Sequence, residues 1–119
     1  MSESLVLVVD DDSLGRLSAV LLLDEAGFDT LEASGADAAI ALLEARRDIK
    51  VVFADINMPG GMNGLELAQI IRHRWPPVGL VLTSGHRRVR GEDMPERGHY
   101  LGKPYSPAQL VGVIWSLVH

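Results

Sequence analysis

Val51-Val52-Phe53-Ala54-Asp55, continued by Ile56-Asn57-Met58-Pro59, carries one carboxylate to the end of an unbroken apolar run. A run this short, rich in β-favouring residues, predicts a strand over 51–54 that is buried on both faces. Pro59, Gly60, Gly61, Asn63 and Gly64 follow as a loop signal. A charge at the tip of a buried strand is costly unless it has a use. Asp55 is therefore the candidate nucleophile around which the remaining elements are read.

Outward from this strand the same pattern recurs. Residues 5–9 form a second all-apolar run, followed by Asp10, Asp11 and Asp12. Asp12 or Ser13 can cap a helix running to about Ala26, with Gly27 closing it. Residues 28–32 mix Phe28, Thr30 and Leu31 with Asp29 and Glu32, which predicts an edge strand. Ser34 and Asp37 have the spacing of a capping box and predict a helix start at Ser34. A third helix begins near Gly64 and stops before Pro76-Pro77. Residues 78–82 and 99–102 read as further strands. Between them Gly91, Pro95 and Gly98 break any helix, so the fourth helix is expected to be stunted. Ser106 and Pro107 open a last helix. Strand–helix alternation repeated five times predicts an α/β fold with a parallel sheet, helices on both faces and right-handed crossovers.

Length and composition set bounds. The chain's 119 residues fit one domain, 1–119. An apolar fraction of 47% with 23% charged residues is that of a folded globular protein. A net charge of -5 argues against nucleic-acid binding. Cysteine is absent, so disulfides and thiol chemistry are excluded. The first residues lack the basic region of a signal peptide and no stretch reaches membrane-span length, which predicts a soluble, cytoplasmic protein without membrane contact. His73, His86, His99 and His119 show no metal-ligand spacing. Arg87, Arg88 and Arg90 read as a solvated loop face.

In open parallel sheets ligands lie at the carboxyl ends of the strands, where the strand order reverses. Those ends carry Asp10 and Asp11, Asp55, Thr83 and Lys103. The flavodoxin-like order 2-1-3-4-5, a known arrangement of such sheets, brings Asp10, Asp11 and Asp55 to one rim. Three crowded carboxylates require protonation or a bridging cation. A hard divalent ion such as Mg2+ suits oxygen ligands and phosphate. An ammonium and a hydroxyl at Thr83 complete a cradle for phosphate oxygens, and a carboxylate nucleophile can accept a phosphoryl group as an acyl phosphate.

Together these pieces resemble the receiver domain of two-component response regulators over essentially the whole chain. The resemblance rests on Val8-Val9-Asp10-Asp11-Asp12, Asp55-Ile56-Asn57-Met58-Pro59 with Gly64-Leu65-Glu66, Thr83-Ser84-Gly85, and Tyr100-Leu101-Gly102-Lys103-Pro104. It implies a flavodoxin-like doubly wound (βα)5 sandwich of five parallel strands. It implies that Asp55 is the phosphoacceptor, and that Mg2+ is held by Asp11 directly, by Asp10 through water, by Asp55 and by the backbone carbonyl of Asn57. It further implies that Lys103 contacts the phosphoryl group across a cis bond to Pro104, with Thr83 the switch hydroxyl and Tyr100 the switch aromatic. The donor is then a histidine kinase or histidine phosphotransfer protein, the output partner is unknown, and the chain is a switch whose only chemistry is self-catalysed phosphoryl transfer and autodephosphorylation. One departure stands out. Gly64 lies nine residues after Asp55, one more than receivers commonly have, because of Gly60-Gly61.

An alternative uses the same acidic run differently. An aspartate-nucleophile phosphatase of the haloacid dehalogenase type has a strand followed by Asp-x-Asp, which Asp10-Asp11-Asp12 matches with Asp10 as nucleophile. That reading leaves Asp55 without a role. Separately, the last helix over 106–118 carries Leu110, Val111, Val113, Ile114, Trp115, Leu117 and Val118, an apolar surface broad enough to predict a homodimer through it.

Overall fold

Five strands form one parallel sheet: β1 (Leu5–Val9), β2 (Asp29–Ala33), β3 (Ile49–Asp55), β4 (Gly79–Ser84) and β5 (Gly98–Gly102), in the order β2-β1-β3-β4-β5. The helices are α1 (Ser13–Glu25), α2 (Ala36–Ala45), α3 (Gly64–Arg74) and α4 (Pro107–Val118). The computed structural model describes residues 4–85, 89 and 91–119. The sheet is the expected flavodoxin-like arrangement, with β2 at an edge.

The unbroken apolar strands divide their side chains between two cores, because successive residues point to opposite faces. Leu5, Leu7, Val9, Val52, Ala54, Leu80 and Leu82 pack toward α2 and α3. Val6, Val8, Val51, Phe53 and Val81 pack toward α1 and α4, where they meet Ala19, Leu23, Leu110 and Ile114. Burial on both faces is why these strands show no alternation in the sequence.

Several boundaries differ from expectation for identifiable reasons. β3 begins at Ile49, two residues earlier than predicted, because exposed Lys50 sits between two buried residues as a half-buried strand allows. Phe28 precedes β2 but is buried, with its ring edge-on to Trp115 at 6.5 Å. Ser34 does not cap α2. Gly35 takes the N-cap position with no side-chain bond, which leaves Ser34 one residue too early. Asp12 does cap α1, accepting from the Gly15 N–H at 3.1 Å, and Gly27 closes that helix with a φ of 95°. In place of a full fourth crossover helix, the described residues between β4 and β5 hold a 3-10 turn, Gly91–Asp93. Arg87, Arg88 and Arg90 lie outside the described residues.

The last helix uses much of its apolar surface internally. Leu110 and Ile114 are fully buried, and Val111, Val113, Leu117 and Val118 are partly covered by the same core. Trp115 is the large apolar residue it leaves out, 55% exposed and stacked on His119 at 3.8 Å. The broad face read from sequence thus shrinks to one aromatic side chain and its rim.

Candidate functional site

Register places the site. Val9 pairs with Ala54 across β1 and β3, so the next residues, Asp10 and Asp55, leave the sheet side by side. Asp55 itself pairs with Thr83 on β4. Ser84 pairs with Gly102 at the end of β5, and the Lys103 N–H donates to the Ser84 carbonyl at 3.0 Å, which brings Lys103 to the same rim. The Lys103-Pro104 bond is cis.

Asp10 and Asp55 are 7% and 8% exposed, so each carboxylate needs compensation. Asp55 Oδ2 accepts from Lys103 Nζ at 2.8 Å, and its Oδ1 accepts from the Asn57 N–H at 2.9 Å. Asp10 Oδ1 accepts from the Asp12 N–H at 2.9 Å. The Arg16 guanidinium donates to the Asp10 carbonyl at 2.7 Å and to Glu32 at 3.1 Å, tying the turn after β1 to the edge strand. Thr83 is buried, and its hydroxyl has no hydrogen-bond partner among the described residues. Tyr100, 37% exposed, donates its hydroxyl to the Ser84 carbonyl at 3.2 Å. The Asn57 amide reaches Ser84 Oγ at 3.3 Å, linking the loop after β3 to β4.

The electrostatics follow from this crowding. Burial pushes the Asp10 carboxyl above its ordinary range; the Asp12 N–H pulls the other way, and the charge of Asp55 adds to the rise. Burial alone would lower the Lys103 amine, but its hydrogen bond to Asp55 and the charges of Asp55 and Asp10 outweigh this, and the amine stands above its usual value. In metal-free protein the Asp10 charge therefore costs stability above its raised titration range. The cost fades as pH falls, because the folded state takes up that proton before the unfolded chain does. Asp10→Asn removes the cost. In chelator its melting midpoint is expected to exceed wild type by about 2–5 °C at neutral pH. The gap should close in the ordinary carboxylate range. A scan showing the variant equally or less stable at neutral pH would contradict this account.

The donor set fits a hard divalent cation. It offers buried carboxylate oxygens from two adjacent strands, one of them raised in pKa partly by the other's charge. Gly15 leaves room for the Asp10 carboxylate, since a Cβ there would lie 2.9 Å from Asp10 Oδ2. Asp11 is not drawn into the same place. It is exposed and lines a neighbouring cleft with Met58, Pro59 and Gly60, whereas Asp10 and Asp55 line the main one. Among the described residues no group of three His, Cys, Asp or Glu side chains is arranged to hold a metal ion.

The extra residue of the loop after β3 is accommodated away from the site. Gly60, with a φ of 88°, and Gly61 are exposed. The Gly64 N–H returns to the Ile56 carbonyl at 3.0 Å. Asn63 then caps α3 in a reciprocal box with Glu66, a second start signal whose spacing is legible in the sequence. Sequence reasoning misses Tyr105. It follows Lys103-Pro104, packs edge-on against Phe53 at 5.7 Å and lines the main cleft. Burial pushes its hydroxyl up.

Comparison with known proteins agrees with this geometry. The family model described as the response regulator receiver domain matches residues 6–114. The nitrogen assimilation regulatory protein NtrX of Azorhizobium caulinodans is 35% identical over 115 residues, covering 93% of this chain and 25% of that protein. The hydrogenase transcriptional regulatory protein HoxA of Cupriavidus necator is 33% identical, covering 94% of this chain and 23% of its own length. The chain thus spans about a quarter of the length of these relatives. A response regulator receiver protein from Sinorhizobium medicae superposes with a TM-score of 0.89 at 27% identity, covering 97% of this chain and 94% of that one. The dehalogenase-type alternative with Asp10 as nucleophile is not supported: the matching family is a different one, and the lysine at the site pairs with Asp55. With its strand order, its rim of Asp10, Asp55, Thr83 and Lys103, and a family match over nearly its full length, the chain belongs to the receiver domains of two-component response regulators.

Proposed function

We propose that residues 1–119 act as a phosphorylation switch in which Asp55 accepts a phosphoryl group from a phosphohistidine of a sensor histidine kinase or a histidine phosphotransfer protein. The observation that carries this reading is Lys103 held 2.8 Å from Asp55, beside the unpartnered hydroxyl of Thr83. A carboxylate oxygen of Asp55 forms a bond to phosphorus while the phosphorus–nitrogen bond of the donor breaks, its electron pair staying on the imidazole. Lys103 exchanges its bond to Asp55 for one to a phosphoryl oxygen, and Thr83 donates to another. Receiver domains generally bind Mg2+ for phosphorylation. Here Asp10, Asp55 and the Asn57 carbonyl would hold it, and Asp11, which lines the neighbouring cleft, would have to turn toward them to join. When bound, the ion offsets charge on the phosphoryl oxygens. Drawing Thr83 toward the phosphoryl group displaces what packs against it, and Tyr100 exchanges its bond to Ser84 for an inward position. Leu14, Leu17 and Leu21 form an exposed apolar row on α1 beside the cleft, an available contact for the donor protein.

No helix among the described residues is long and apolar enough to cross a membrane, which supports a cytoplasmic site of action. The output partner has no assignment, and autodephosphorylation is the only hydrolysis this reading contains. To test it, the protein is incubated with Mg2+ and acetyl phosphate and the modified residue is mapped. Label on Asp55 is expected. Label on Asp10, or turnover of ordinary phosphomonoesters, sinks the reading.

The last helix enters the proposal in reduced form, as a homodimer contact centred on Trp115. Sedimentation at high concentration is expected to show dimer in the wild type and less in Trp115→Ala; a wild type that stays strictly monomeric removes this part.

A further inference from the structure

We infer that the site is built to take small phosphodonors that carry a flat apolar group, in preference to acetyl phosphate; this rests on the reading of Asp55 as acceptor. The cleft that holds Asp55, Thr83 and Lys103 has a volume of 670 Å³. That is the size of a pocket for a drug-like ligand, roughly 300–1,000 Å³, and far more than an acetyl group fills. Beyond the charged rim its walls are apolar. Leu22 comes from α1, and Tyr105 and Pro107 from the chain after Lys103, over a floor of Ala19 and Phe53 that is itself nearly covered. Two features make the room. The α1 face toward the cleft carries the small residues Gly15, Ser18 and Ala19 before Leu22, at helical spacing. Opposite, the Tyr105 ring is held edge-on to Phe53 at 5.7 Å, so an aromatic wall stands beside the ammonium. The same cleft thus offers a cation and a buried hydroxyl for phosphate oxygens together with aromatic and aliphatic surface. That combination matches an aromatic acyl phosphate.

In the reaction an Asp55 carboxylate oxygen bonds to phosphorus, the bond from phosphorus to the acyl oxygen breaks, and its electron pair leaves on the carboxylate released. No proton moves and no oxidation state changes. A better leaving group raises the maximal rate by itself, so the half-saturating concentration is the quantity that reports the cleft.

The experiment compares benzoyl phosphate with acetyl phosphate on the wild type with Mg2+, following Asp55 labelling by intact mass. Benzylphosphonate and methylphosphonate, which cannot transfer phosphorus, are titrated as competitors. Half-saturation by benzoyl phosphate is expected at about a tenfold lower concentration, the scale of burying one ring, and benzylphosphonate should compete better by a similar factor. Ser18→Phe, a change at an exposed helical position, fills the cleft and is expected to bring both ratios toward one. Equal half-saturation for the two donors, or ratios that Ser18→Phe does not move, overturn the inference while leaving Asp55 as acceptor. Labelling of Asp55 by neither donor overturns the acceptor reading and this inference with it.

Discussion

Asp55→Asn is expected to abolish acyl-phosphate labelling while leaving the fold intact. The amide keeps the shape of the carboxylate, and its oxygen can still accept the Asn57 N–H that Asp55 Oδ1 accepts at 2.9 Å. What it loses is the nucleophile, and among the described residues no other carboxylate shares its position. Asp10 stands at the end of the neighbouring strand and Asp11 in another cleft. Stability should change little, because two effects oppose each other. Lys103 loses its partner at 2.8 Å, and Asp10 loses a like charge that helps push up its carboxyl. With Lys103 38% exposed, the lost ion pair is largely screened by solvent, and the net change is expected within about 1 kcal/mol. Intact mass after incubation with Mg2+ and acetyl phosphate, together with a thermal melt, checks both halves. Residual labelling at the wild-type rate would move the acceptor elsewhere.

Gly64→Ala should be the most destabilising small substitution near the site, by roughly 2–4 kcal/mol. A Cβ on Gly64 would lie 2.5 Å from the Asp55 carbonyl oxygen and 2.8 Å from Ile56 Cα. Both are backbone atoms at the end of a central strand, so neither can rotate away. Relief requires the first turn of α3 to lift, which breaks the Gly64 N–H bond to the Ile56 carbonyl and disturbs the peptide that carries the acceptor. Gly61→Ala is the matched control. It has nothing within 4 Å of its Cβ position, and should unfold within about 0.5 kcal/mol of wild type. Urea unfolding with unchanged slope separates the two. If Gly64→Ala matches Gly61→Ala, the close approach of α3 to the Asp55 backbone is not a constraint on the fold.

The contrast between these glycines shows where sequence reading succeeds and where it stops. The extra residue at Gly60-Gly61 is visible in the chain, but whether it disturbs the acceptor depends on where the loop closes. It closes behind the glycines, through Gly64 and the Asn63–Glu66 box, so the insertion bulges into solvent. Tyr105 shows the same limit. Nothing in its immediate sequence separates a surface tyrosine from one that walls a cleft. Its role comes from Phe53, 52 residues away in the chain and edge-on to its ring.

By itself the sequence determined the alternation of strands and helices, the carboxylates, hydroxyl and lysine at the strand ends, and through them the family. These are local properties: an apolar run long enough for a strand, a breaker after it, a polar residue at its tip. Tertiary structure alone decided which of those residues meet. Register sets Asp10 beside Asp55 and pairs Asp55 with Thr83. The turn after β1 leaves Asp11 facing a different cleft. The same packing decided how much of the last helix the core consumes, leaving Trp115 outside. Such outcomes depend on contacts between residues distant in the chain, whose geometry no local pattern encodes.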